Sequence, residues 1–230
     1  MTLFPGGTGV THLTVYDWAG PDGLPGGSAH VHLVCTEGYV VLDGRGRLQT
    51  LAADGFAETP LEPLTVAWFA PGVIHRLVND GGLRILVVMQ NAGLPETGDA
   101  VLTFPPEHLA DPARYRAAAA LPPEDPAGGA RRRKDLAVDG FLRLREQVER
   151  DGAGALAAFY ERATALVHDE LPAWRSRWAR GPGAAAVATG EQIERLTEGG
   201  FQHLHDGRLT VLGPPPERGY GMCGRLVTYP

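Results

Sequence analysis

Short runs of apolar and β-branched residues fill the first ninety positions of the chain, at 11–16, 29–34, 38–42, 47–52, 64–69, 73–78 and 83–90. Each run is closed by Gly, Pro, Asp or Asn, the pattern of strands separated by turns. No helical spacing lies between them, so they predict an antiparallel sandwich or small barrel. Asp43-Gly44-Arg45-Gly46 reads as the tip of a hairpin after strand 38–42. Pro71-Gly72 reads as a turn between two further strands.

The period changes after residue 105. A short helix is predicted with Asp111 as cap and Pro112 at its first position. Residues 121–130, rich in Pro and Gly, read as a linker. Beyond it 135–150 carries Leu136, Phe141, Leu142, Leu144 and Val148, and 154–170 carries Leu156, Phe159, Tyr160, Ala163, Leu166 and Val167. Both predict amphipathic helices. Pro172 interrupts the pattern, and 173–179, with Trp174 and Trp178, predicts one more short helix. Thr189-Gly190-Glu191-Gln192 has the form of a capping box opening a helix to about Glu198. Strand signals return at 208–212 and 224–229, around a Pro214-Pro215-Pro216 loop. The expected fold class is α+β: an antiparallel β-barrel over 1–105, a connecting segment and linker over 106–134, and a mainly helical region over 135–230 with a short terminal β segment.

Composition narrows the function classes. The 230 residues suit one large domain or two small ones. With 27 acidic against 21 basic side chains the net charge is −6, which disfavours a nucleic-acid partner. The basic run Arg131-Arg132-Arg133-Lys134 has no interleaved aromatics and reads as a solvated linker or helix start. Two cysteines, Cys35 and Cys223, are too few for a disulfide framework. The chain shows no signal-peptide pattern and no apolar stretch of the ~18 residues a membrane span needs, so a reduced cytoplasm is the expected location. High Gly, Ala, Pro and Arg usage fits a GC-rich bacterial genome.

The candidate chemistry is concentrated in one set of side chains. In an extended strand residues i and i+2 share a face, so His30 and His32 can grip one ion together. Glu37 has the opposite parity, and a turn or bulge within 33–36 restores it, placing Glu37 at the start of the next strand across a hairpin. The strand, turn and strand of 65–78 bring His75 to the same place, with Asn79 on its face. Cys35 has the wrong parity for the cluster and reads as packing. His12, His108 and His168 lack partners at ligand spacing. His203-Leu204-His205 has no following acidic and histidine pair of the right form and reads as ordinary exposed histidines.

These motifs resemble those of the cupin family. His30-Val31-His32, four residues, Glu37, six residues and Gly44 follow its first motif, with Leu24 standing where the pattern has a leading glycine. Pro71-Gly72-Val73-Ile74-His75-Arg76-Leu77-Val78-Asn79 follows its second, with one residue fewer between Pro71 and Gly72. The resemblance covers roughly residues 8–105. It implies a metal-binding jelly roll whose ligands are His30, His32, Glu37 and His75, and pairing of two copies through their sheets as a homodimer.

Three imidazoles and a carboxylate suit a divalent transition metal, Fe, Ni, Mn, Co or Zn. Four protein ligands leave open positions for a small-molecule substrate. The leading expectation is a metal-dependent enzyme with dioxygenase-like oxidation of a small chelating substrate. The alternatives are a sugar or hydroxy-carbonyl isomerase or epimerase and a non-catalytic ligand sensor. Glu37 is the candidate catalytic residue, as a base that leaves the metal, and Tyr39, Trp68 and Met89 are candidate pocket walls.

Overall fold

A computed structural model describes residues 4–213 and 219–229; the predicted Pro214–Pro216 loop lies outside them. The strands are β1 (Gly9–Val15), β2 (His30–His32), β3 (Glu37–Ala52), β4 (Gly55–Leu61), β5 (Val66–Phe69), β6 (Ile74–Met89), β7 (Ala100–Leu102), β8 (Gly219–Tyr220) and β9 (Gly224–Tyr229). All pairings are antiparallel. The helices are α1 (Pro106–Leu109), α2 (Pro112–Ala119), α3 (Pro126–Asp151), α4 (Ala153–Val167), α5 (Leu171–Arg180) and α6 (Pro182–Thr197). The α+β class holds.

The frame of the barrel is one long ribbon in which β3 and β6, 16 residues each, pair from Glu37↔Met89 to Leu51↔Ile74. Here the hairpin expected at 43–46 is corrected. Asp43, Arg45 and Gly46 form a bulged bend inside β3, and 73–78 and 83–90 form one strand with a matching bend at Gly81 and Gly82. A glycine after Asp signals a positive φ, which a bulge satisfies as well as a hairpin turn does. Gly44 has φ 74°, and a Cβ there would lie 2.3 Å from the Gly82 carbonyl carbon. The bulge also changes parity along β3: Tyr39 and Val41 face the barrel interior, and so does Leu48, while Leu51 turns outward. At Asn79 the side chain accepts from Gly81 N and Leu83 N and donates to the Val15 carbonyl, which pins the bend to β1.

The rolled ribbon curls one nine-stranded sheet over an interior of Leu13, Val41, Leu48, Leu77 and Ile85. Outside the β2 and β7 layer, Val31, Ile74 and Val101 pack against Phe141 of α3, Phe159 of α4 and Trp174 of α5. Alternation therefore splits β2: its two histidines point in and Val31 points out to the helices. Gly140 lets α3 approach, since a Cβ there would stand 1.9 Å from the Thr103 carbonyl oxygen.

Three strands, β4, β7 and the two-residue β8, escaped the pattern reading, and several other expectations are corrected. Only the start of 121–130 is linker, because Asp125 caps α3 through Gly128 N and Pro126 takes its first position. The basic run is solvated only in its first half: Arg131 and Arg132 are exposed near the start of α3, whereas Lys134 is buried, with Nζ donating to the Trp18 and Ala19 carbonyls, and Arg133 is buried beside it. Thr189 lies inside α6, donating to the Ala185 carbonyl, so it caps nothing. Its neighbours in sequence are helical on both sides, and Pro182 rather than Thr189 opens the helix. Residues 208–212 form no strand; they are exposed and meet no sheet edge. The terminal strand β9 does form, and it joins the barrel by pairing with β1 from Val10↔Tyr229 to Val15↔Gly224. No helix among the described residues is long and apolar enough to cross a membrane.

Candidate metal centre

His30 and His75 are direct partners across β2 and β6, so their side chains share a face. His32 stands two residues on. The break at 33–36, held by Leu33 N and Val34 N donating to Asp99 Oδ1, lets β3 begin with Glu37 on the inner side. All four are buried, and one ligand atom from each lies within 4.8 Å of the others. The expected ligand set is thereby brought together, and no other such group occurs among the described residues. His203 and His205 sit in a short 3-10 turn, Gln202–Asp206, and His12, His108 and His168 belong to no cluster.

The outer nitrogen of every imidazole faces an acceptor. His30 Nδ1 lies 3.2 Å from the Ser28 carbonyl, His75 Nδ1 3.0 Å from the Val73 carbonyl, and His32 Nδ1 2.7 Å from Asp99 Oδ2. An oxygen acceptor demands a proton on Nδ1, which leaves the Nε2 lone pairs turned inward in neutral rings. There His75 Nε2 lies 3.1 Å from His30 Nε2 and 3.0 Å from Glu37 Oε2, and His32 Nε2 lies 3.3 Å from the same oxygen. With all three rings neutral, as metal binding requires, lone pairs of like character crowd one point. His32 Nε2 and Glu37 Oε2 are buried with no hydrogen-bond partner despite these short separations. A cation at that point satisfies all four donors, so the residues fit a metal.

Electrostatics divide the rings. Burial and the neighbouring His75 and His32 hold His30 well below the ordinary histidine range. Burial would lower His32 as well, but the carboxylates of Asp99 and Glu37 on its two sides outweigh that and push it up to about 9, so without a cation this ring is protonated at neutral pH and a metal must displace the Nε2 proton. Burial would raise Glu37, yet His32 and His75 hold its carboxyl well below the usual range. Glu37 is therefore an ionised carboxylate.

The centre opens on a cavity of about 430 Å³. Met89 lines it as expected. Trp68 does not: it alternates outward from edge strand β5 and is 73% exposed. Tyr39 lies in the core beneath the ligands, packed edge-on to Phe69 and His75. Three contributors escaped the sequence reading. Asp99 orients His32, and Arg133 of α3 and Cys223, just before β9, line the cavity. Cys223 Sγ sits 4.0 Å from His30 Nδ1. None carries a local signal, because each arrives from a distant segment.

No family model and no curated protein matches the chain. Among solved structures, a cupin protein from Bacteroides fragilis is 22% identical, over 37% of this chain and 65% of its own, with a TM-score of 0.28. A Klebsiella pneumoniae protein with a double-stranded β-helix domain is 18% identical, over 37% of this chain and 67% of its own, with a TM-score of 0.29. A Streptomyces nucleoside dehydratase is 12% identical, and the match spans 39% of this chain and 63% of that one, with a TM-score of 0.31. These likenesses cover well under half of this chain, and what the barrel does is argued below from its own site.

Proposed function

We propose that this protein is a metal-dependent enzyme acting on a small chelating substrate, with dioxygenase-like oxidation as its chemistry. The observation that carries the reading is the inward convergence of three Nε2 atoms and the Glu37 carboxylate, each imidazole held in that orientation by an acceptor behind it. His30, His32, His75 and Glu37 would hold a divalent transition ion, which when bound supplies Lewis-acid polarisation and, if it is iron, activation of dioxygen.

The rest of the cavity favours oxidation over isomerisation. Moving a proton between carbons of a hydroxy-carbonyl substrate needs a base beside it. Glu37 is committed to the ion in this reading. Burial pushes the Cys223 thiol up, so it stays protonated. Arg133 has no acceptor lone pair, and Glu96 is exposed in the short 3-10 turn Pro95–Thr97 at the cavity edge, accepting from Gly93 N.

Elemental analysis of protein purified without added metal, followed by oxygen uptake by the iron-loaded protein across catechols, diketones and thiols, tests the reading. The expected result is about one transition ion per chain and substrate-dependent uptake lost in His75→Ala. Interconversion of hydroxy-carbonyl compounds without oxygen uptake would instead support the isomerase. An absence of bound metal, with His75→Ala leaving the fold and stability unchanged, would leave a ligand-binding module.

A further inference from the structure

Arg133 is the only Lys or Arg among the described residues that line the metal cavity. It is 9% exposed, and no acidic side chain among the described residues pairs with it. Its protein partners are neutral: Nη1 donates to the Ala119 carbonyl at 3.3 Å and Nη2 to the Gly221 carbonyl at 2.6 Å. Nε is buried without an acceptor. A guanidinium carries five N–H donors and cannot shed its proton, so burying it beside neutral groups alone leaves an uncompensated charge. Its neighbour in sequence shows the contrast, since Lys134 has Asp135 at 2.8 Å as well as two carbonyls.

The remainder of the wall is largely apolar, with Leu13, Val87, Met89, Met222 and Leu226. One fork-shaped cation and an apolar wall match a ligand with one carboxylate and a hydrocarbon body. A single guanidinium neutralises one negative charge, which a carboxylate supplies and a phosphate dianion exceeds.

We propose that the substrate is an apolar monocarboxylate whose carboxylate seats on the Arg133 guanidinium while its other end faces His30, His32, His75 and Glu37. This rests on the reading of the cavity as the substrate site, and it deepens that reading by assigning the substrate class. Arg133 is then a specificity-determining residue that acts by binding the acid group. Its carbonyl contacts tie α3 to Gly221 and aim the fork.

Isothermal titration of metal-free and metal-loaded protein with 3-phenylpropanoate and hexanoate, each against its primary amide, tests the proposal. The acids are expected to bind roughly tenfold or more tighter than the amides. The preference should hold in the metal-free protein, where direct carboxylate–metal contact is absent. Arg133→Met should erase it while metal stoichiometry is retained, and Arg133→Lys should keep part of it. Should Arg133→Met fail to fold, the wild-type ratio and Arg133→Lys decide. Equal binding of acid and amide, no binding of any acid at millimolar concentration, or a preference that survives in Arg133→Met overturns the proposal. A protein that takes up no metal yet keeps the acid preference would sink the metal reading and leave this one standing.

Discussion

Asp99 Oδ2 lies 2.7 Å from His32 Nδ1, both side chains buried, while Asp99 Oδ1 accepts from Leu33 N and Val34 N. One carboxylate thus sets the tautomer of a ligand and shapes the break in the chain that leads to Glu37. In Asp99→Asn the backbone donors hold the amide oxygen on their side, which turns the amide NH2 toward a ring N–H. Metal affinity should fall about 10- to 100-fold, measured by competition with a chromogenic chelator. An unchanged affinity would remove Asp99 from the centre.

Metal should stabilise the folded chain, because the four donors converge only after folding. Adding a chelator to the metal-loaded protein should lower its melting temperature. In His75→Gln the same addition should change little. Equal drops in the two proteins would mean that metal binds elsewhere.

Gly140 carries a test of how α3 meets the barrel. In an open helix Gly→Ala stabilises by about 1 kcal/mol. Against the Thr103 carbonyl, 1.9 Å from where the Cβ would stand, the sign should reverse. A loss of about 1–3 kcal/mol is expected in denaturant unfolding. A more stable Gly140→Ala would show that α3 does not abut the strand there.

Acid should expose the pair formed by Asp22 and the fully buried Arg76, whose Nη1 lies 2.6 Å from Asp22 Oδ2. Burial raises the Asp22 carboxyl, but the Arg76 hydrogen bonds and charge outweigh it and set the folded pKa below the ordinary value. A carboxyl depressed on folding contributes stability that is complete above its unfolded pKa of about 4 and is lost as pH falls through the folded value. At neutral pH Asp22→Asn should cost about 2–3 kcal/mol, less than for a fully buried pair because Asp22 is partly exposed and Arg76 keeps the Leu24 carbonyl. The gap between the two proteins should narrow below about pH 4. A gap that stays constant into acid would show that the ion pair is not its source.

The misread segments have a common cause. Asp-Gly at 43–44 demands a positive φ without saying whether a turn or a bulge supplies it, and the choice fell to pairing along β3 and β6. Thr189 and Gln192 match a capping box, but continuous helix from Pro182 leaves nothing to cap. Arg133 and Lys134 look solvated in a charge run, yet α3 turns them toward the Gly221 carbonyl and toward those of Trp18 and Ala19. Trp68, an aromatic near the ligands in sequence, points outward by strand alternation on an edge. Where a motif named its own geometry, as with Asp111 and Pro112 in α2, reading and structure agree.

By itself the sequence determined which four side chains, His30, His32, Glu37 and His75, gather at one point, the strand parity that turns His30 and His32 inward and Val31 outward, and the amphipathic faces of α3 and α4. These are periods of two and of three to four residues, written in neighbouring positions and imposed by backbone geometry. Only the tertiary structure decided that Asp99 backs His32, that Arg133 and Cys223 reach the cavity, and that β9 closes the sheet beside β1. Those contacts join segments 67 to more than 200 residues apart. No local period encodes them; they exist because burying the outer face of β2 and β7 under the helices, and pairing the open edge of β1, brings distant backbone to one place.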